Sequence, residues 1–153
     1  MNTLELLKVL REKIAYNGYS NVLSFDQFID LNIDDIICPA CIIVNTRNKN
    51  HFGEHWFGIY ITQSSLFYMN SLFCSPKICR TLFNKLTITD RNVSCLNSRI
   101  QSKKSSSCGK FCLVFLKFMT VHDNFDAFAS LFKYEDFMYN EHIINHLYDK
   151  YFL

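Results

Sequence analysis

Glycine and proline are scarce here, with four and two among 153 residues. Unfolded and linker segments are rich in both, so a low-complexity linker is excluded. No apolar run approaches the roughly 20 residues that a membrane-spanning helix needs. No stretch has the layout of a signal peptide, and there is no internal repeat. An excess of one charge is lacking too: 16 Lys and Arg against 14 Asp and Glu leave a formal net charge of +2. That balance neither requires nor excludes a nucleic-acid partner. Lys77, Arg80, Lys85, Arg91, Arg99, Lys103, Lys104 and Lys110 form a loose basic gathering. It reads first as a solvated face and second as a weak surface for an anionic partner such as DNA.

What is present is core-forming material. Hydrophobic residues make up 49% of the chain and aromatics 16%. Domains commonly hold about 100–200 residues, so residues 1–153 are read as a single domain. A chain of this length buries roughly 68–70% of its unfolded surface, so folding requires neither disulfides nor metal. The seven cysteines, at 38, 41, 74, 79, 95, 108 and 112, are odd in number. With no leader segment, they suggest a soluble protein in reducing, intracellular surroundings.

Residues 3–16 (TLELLKVLREKIAY) read as an amphipathic helix with Leu4, Leu7, Leu10 and Ile14 on one face and Thr3 as its N-cap. Ser24 caps a short second helix in SFDQFIDLN. CIIVNT (41–46) reads as a strand. HWFGIYI (55–61) and LFYMNSL (66–72), separated by TQSS, carry a hairpin signature, and VSCLNSRIQ (93–101) reads as a further strand. From Cys108 to about His122 nearly every residue is apolar, the mark of a helix buried at the centre of a domain. Residues 134–152 read as helical segments rich in Tyr, Phe and His. The fold class expected is α+β, an antiparallel or mixed sheet packed against a central buried helix that starts at Cys108.

That position gives SSSCGKFC (105–112) its interest. A thiol becomes a good nucleophile on ionising, and a helix N-terminus favours thiolate, so the expectation is a lowered pKa at Cys108. Gly109 would let a substrate backbone approach, and the N–H groups here could hold an oxyanion. The bland alternative is a buried thiol that happens to begin a helix. His55, at the head of a strand, is the candidate base; His51, His122, His142 and His146 lack so defined a context. If Ile61 pairs with Leu66, then Phe57 faces Asn70, and His55 lies diagonal to Asn70 on the same sheet face. Asn70 could then orient the imidazole. A one-residue slip would separate them. Gln101, seven residues before Cys108, offers an amide for the oxyanion, and Trp56 packs beside the site.

The joint pattern resembles the adenovirus protease (adenain) type of cysteine peptidase, within the broader SUMO-protease-like group. The likeness rests on ACIIVNT (40–46), GEHW (53–56), LFYMNSL (66–72), the Gln101 to Cys108 spacing and SSSCGKFCLVFLKF (105–118). The resemblance implies His55 as base, Cys108 as nucleophile and Gln101 as oxyanion donor. It further implies polypeptide substrates, viral precursor proteins among them, cleaved near small residues such as Gly. Peptide and DNA activators belong to the family, and no cofactor is required for the chemistry. A viral member would work in the virion or in the host nucleus or cytoplasm. Asn70 stands where the family carries an acidic residue. Ser107 stands where SUMO-type enzymes carry Asp, which favours the viral branch.

Three other readings compete. CPAC (38–41) has zinc-ligand spacing, but a second tight pair is missing and the segment runs into an apolar strand. The chain could instead be a binding module that keeps a protease fold without full activity. It could also be an isopeptidase acting on ubiquitin-like tails.

Overall fold

The computed structural model describes residues 1–14, 17–46, 55–72 and 76–153. Five strands form one sheet in the order β1-β2-β3-β4-β5: β1 (Tyr19–Leu23), β2 (Ala40–Asn45), β3 (Trp56–Ile61), β4 (Ser65–Asn70) and β5 (Asn92–Asn97). The central three strands run antiparallel, and each edge strand is parallel to its neighbour, so the sheet is mixed. Parallel neighbours need a crossover, and each has a helix. α2 (Phe25–Asp30) lies between β1 and β2, and α3 (Pro76–Thr87) between β4 and β5. β2 and β3 are buried on both faces, which explains their unbroken apolar composition.

Helices cover both faces. Phe28 of α2 with Leu82 and Leu86 of α3 packs against Ile42, Phe57, Ile59 and Tyr68 on one side. On the other lies α4 (Cys108–His122), with all but a few of its residues buried. α1 (Thr3–Val9), α5 (Phe125–Ala129) and α6 (Phe137–Phe152) surround it, contributing Leu6, Phe125, Phe128 and Ile144 to the same core. The fold is therefore α+β with a central helix that begins at Cys108.

Gly58 sets how closely that helix approaches the sheet. A Cβ there would stand 2.9 Å from Cδ1 of Phe115 and 3.8 Å from Cα of Cys112. Its absence lets α4 lie directly on β3, with residues 56, 58 and 60 facing the helix and 57, 59 and 61 facing away.

Several local expectations need correction. The first helix is capped by Asn2, not Thr3. Asn2 Oδ1 accepts from the Glu5 N–H and the Glu5 carboxylate accepts from the Asn2 N–H. Its buried side is Leu6, Leu10 and Ile14, an i, i+4, i+8 row, while Leu4 is exposed. The helix continues through a π-helical turn at Leu10–Ile14. Ser24 caps α2 as expected. β5 ends at Asn97, short of the expected 101. Cys79 lies in α3 and is disulfide-bonded. Cys38, Cys41, Cys95, Cys108 and Cys112 are free thiols. His51 and Cys74 lie outside the described residues. Among the described residues, no helix is long and apolar enough to cross a membrane.

Candidate active site

Strands β3 and β4 pair with Ile61 opposite Leu66 and Gly58 opposite Met69. This register puts His55 and Asn70 on the sheet face turned away from α4. His55 Nε2 lies 2.6 Å from Asn70 Oδ1, with both side chains buried. The amide of Asn70 is held by two further bonds. Its Oδ1 accepts from the backbone N–H of Leu72 at 3.0 Å, and its Nδ2 donates to the Tyr68 hydroxyl at 3.0 Å. A backbone N–H can only donate, so the Leu72 amide identifies which end of Asn70 is oxygen. That oxygen in turn requires a proton on His55 Nε2. The imidazole is thereby locked in one tautomer, and its Nδ1 carries a bare lone pair. Nδ1 is buried and, among the described residues, has no hydrogen-bond partner.

The sulfur comes from the opposite face of β3. Cys108 opens α4, is 6% exposed, and shares a core cluster with the Trp56 side chain. Backbone N–H groups of Trp56, Gly109 and Cys108 itself lie on the sulfur's side and favour its ionised form. The structure therefore brings Cys108 against the peptide of Trp56, the residue directly after His55. Cys112 lies one turn further along, fully buried, with its thiol pKa pushed well up by burial.

Protonation states depart from expectation. Burial raises the Cys108 thiol above its ordinary 9.0, and the backbone hydrogen bonds only partly offset this. Burial likewise lowers His55 below 6.5, against a smaller opposing effect of Asn70. The lowered thiol pKa expected at a helix start is thus reversed, because desolvation of a buried sulfur outweighs the local N–H groups. Both shifts run toward the neutral forms, thiol and unprotonated imidazole.

Gln101 is fully buried in the loop between β5 and α4. Its Oε1 accepts from the Ser71 hydroxyl at 2.6 Å, and its backbone N–H donates to Ser71 O at 3.0 Å. One proton of its Nε2 goes to Ser105 O at 3.1 Å, and the second has no partner among the described residues. Ser71 directly follows Asn70, so His55, Asn70, Ser71 and Gln101 form one continuous chain of contacts. Ser71, Tyr68 and the Leu72 amide escaped sequence reading. Their signal was their position beside Asn70 in LFYMNSL.

Gly109 has a packing role of its own. A Cβ there would lie 3.2 Å from Leu6 Cδ2 and 3.5 Å from two atoms of the Met1 side chain. The glycine makes room for Leu6 of the first helix and for Met1. The other histidines lie apart: His122 sits at the far end of α4 against Phe118, and His142 and His146 are exposed on α6. Of the proposed zinc cysteines, Cys41 is buried in β2 with its pKa pushed up to about 12, while Cys38 contacts Ile36 O and Arg91. Among the described residues, no group of three or more His, Cys, Asp or Glu could hold a metal ion.

No protein-family model and no curated protein matches the chain. Among solved structures, it is similar to the crystal structure of the ASFV pS273R protease, with 22% identity and a TM-score of 0.45 over 74% of this chain and 46% of that one. It is also similar to AvrA delL154 with IP6 and CoA, with 16% identity and a TM-score of 0.46 over 69% of this chain and 43% of that one. The chain spans less than half the length of either protein.

Proposed function

We propose that this chain is a cysteine endopeptidase, with Cys108 as nucleophile, His55 as general base and acid, Asn70 as the group that orients His55, and Gln101 as oxyanion donor. The observation that carries the reading is the locked His55 tautomer: a buried imidazole whose one free nitrogen is a lone pair. A structural histidine would satisfy both nitrogens. A catalytic one must keep a nitrogen open for the proton it takes.

Nδ1 accepts the thiol proton as the sulfur bonds to the scissile carbonyl carbon, and the carbonyl π pair moves onto oxygen. The free Nε2 proton of Gln101 and the N–H groups at the start of α4 receive that oxyanion. The tetrahedral adduct collapses, the C–N bond breaks, and the leaving amine takes the proton from Nδ1. Water then attacks the thioester with Nδ1 as base, releasing the acid and restoring the thiol. Burial moves both groups toward their neutral forms, which favours proton transfer that accompanies attack.

The substrates we propose are polypeptides cut next to small residues such as Gly, with precursor proteins of a virus as the class the sequence resemblance implies. An isopeptidase acting on ubiquitin-like tails would use the same chemistry, and peptide-library profiling separates the two. The first test is peptide cleavage by wild type beside Cys108→Ala. The variant is expected to lose about 10⁴-fold or more. Turnover surviving in Cys108→Ala would end the assignment.

A further inference from the structure

Between β5 and α4 the chain runs from Ser98 to Ser107 without regular structure. This loop carries Gln101 and delivers Cys108, so its shape determines where the oxyanion donors sit. Two consecutive residues near the start of α6 hold it. Asn140, fully buried, donates from Nδ2 to Ile100 O at 3.0 Å and to Lys133 O at 2.6 Å, and accepts from the Lys133 N–H at 2.8 Å. Glu141, half-buried, receives the hydroxyl protons of both Ser105 and Ser107. Ser105 Oγ also accepts from the Ser107 N–H at 3.1 Å, and Ser105 O receives the Gln101 amide.

The consequences reach the site by two routes. Through Ser105, the carboxylate fixes the carbonyl that orients Gln101 Nε2. Through Ser107, it takes a hydroxyl that stands at the N-cap position of α4 yet makes no cap bond. A serine there would ordinarily bond the N–H groups of the first turn. Turned toward Glu141, it leaves them uncapped by its own side chain. We infer that Glu141 is a positioning residue for the oxyanion-binding loop. The inference rests on the reading of Cys108 as a peptidase nucleophile. Charge-assisted hydroxyl–carboxylate bonds are among the stronger ones, which suits a loop of serines and lysines.

Glu141→Ala, Glu141→Gln and wild type decide it. Glu141→Ala should lose about 10- to 100-fold in kcat for peptide cleavage with little change in KM, because a whole oxyanion donor is worth roughly 10²–10³. Alkylation of Cys108 by iodoacetamide forms no oxyanion, so Glu141→Ala should stay within about threefold of wild type there. Glu141→Gln keeps an acceptor oxygen for the serines and should stay within about threefold in both assays. Amide hydrogen exchange at residues 105–107, measured without substrate, should quicken in Glu141→Ala. Wild-type cleavage by Glu141→Ala, parallel loss of cleavage and alkylation, or unchanged exchange would each overturn the inference. Failure of the peptidase reading has a separate signature: wild type alkylates but cleaves no peptide, and exchange alone then decides the clamp.

Discussion

Asn70 makes three side-chain contacts, and each constrains what may replace it. Aspartate fits the same space, since it accepts from Leu72 and His55, and the Tyr68 hydroxyl can turn to donate. Asn70→Asp should therefore keep or raise activity, and the added charge should raise the His55 pKa and favour the ion pair. Asn70→Ala frees the ring and strands a buried N–H and a hydroxyl, with a stability cost of about 1–3 kcal/mol. Steady-state kinetics on both variants check this. Equal rates in Asp, Ala and wild type would remove Asn70 from the mechanism. The two shifts give a second prediction at the same scale. Catalysis needs an unprotonated Nδ1 and a proton shared with the thiol. The acid limb of the pH–rate profile should therefore fall below 6.5 and the alkaline limb above 9.0, the directions in which burial moves the two groups. Thiolate absorbance near 240 nm, taken as wild type minus Cys108→Ala, should be absent at pH 7 and present in Asn70→Asp.

At the scale of elements, the site depends on how β3 meets α4. His55 enters from one strand end, Cys108 from a helix start, and Gly58 keeps the two elements close. Gly58→Ala should place a methyl group against the Phe115 ring, costing about 1–3 kcal/mol of stability through overpacking. Cleavage by the folded fraction should fall further than stability alone implies, because α4 moves outward and takes the sulfur with it. Chemical denaturation and kcat measured on the same samples separate the two effects. Full activity in a destabilised Gly58→Ala would show that the strand–helix distance does not govern the chemistry.

Across the whole molecule, the sheet divides two apolar cores, and the sulfur belongs to only one of them. Leu82 of α3 is fully buried in the other. Leu82→Ala should cost about 2–5 kcal/mol, as large-to-small core changes do. Well below its melting temperature, the folded variant should still alkylate Cys108 at the wild-type rate, because α4, α1 and α6 are untouched. Denaturant titration and alkylation kinetics are the measurements. A matching fall in both would mean that the cores are coupled through the sheet.

Local chemistry was enough to identify much of this protein from its residues. The nearly all-apolar run after Cys108 reads as a central helix, and it is one. The Ile61–Leu66 register, a supposition from the sequence, is the one the strands adopt, and with it His55 and Asn70 meet. The edges were harder to read. β1 (YSNVL) buries only Val22 and shows no alternation, because it pairs on one side alone. The sequence reading has no helix at α3, although a proline opens it and Leu82 and Leu86 stand one turn apart. Glu141 has no local signature; its role exists only once α6 folds back over the serine loop. Protonation was beyond the sequence for the same reason. A helix start announces itself locally and argues for thiolate, but burial is a sum over the elements packed around the sulfur, and here that sum is larger. Residue order determined which groups were available and which neighbours along the chain they had. Tertiary packing decided how dry the site is, which way each amide points, and so where the proton rests.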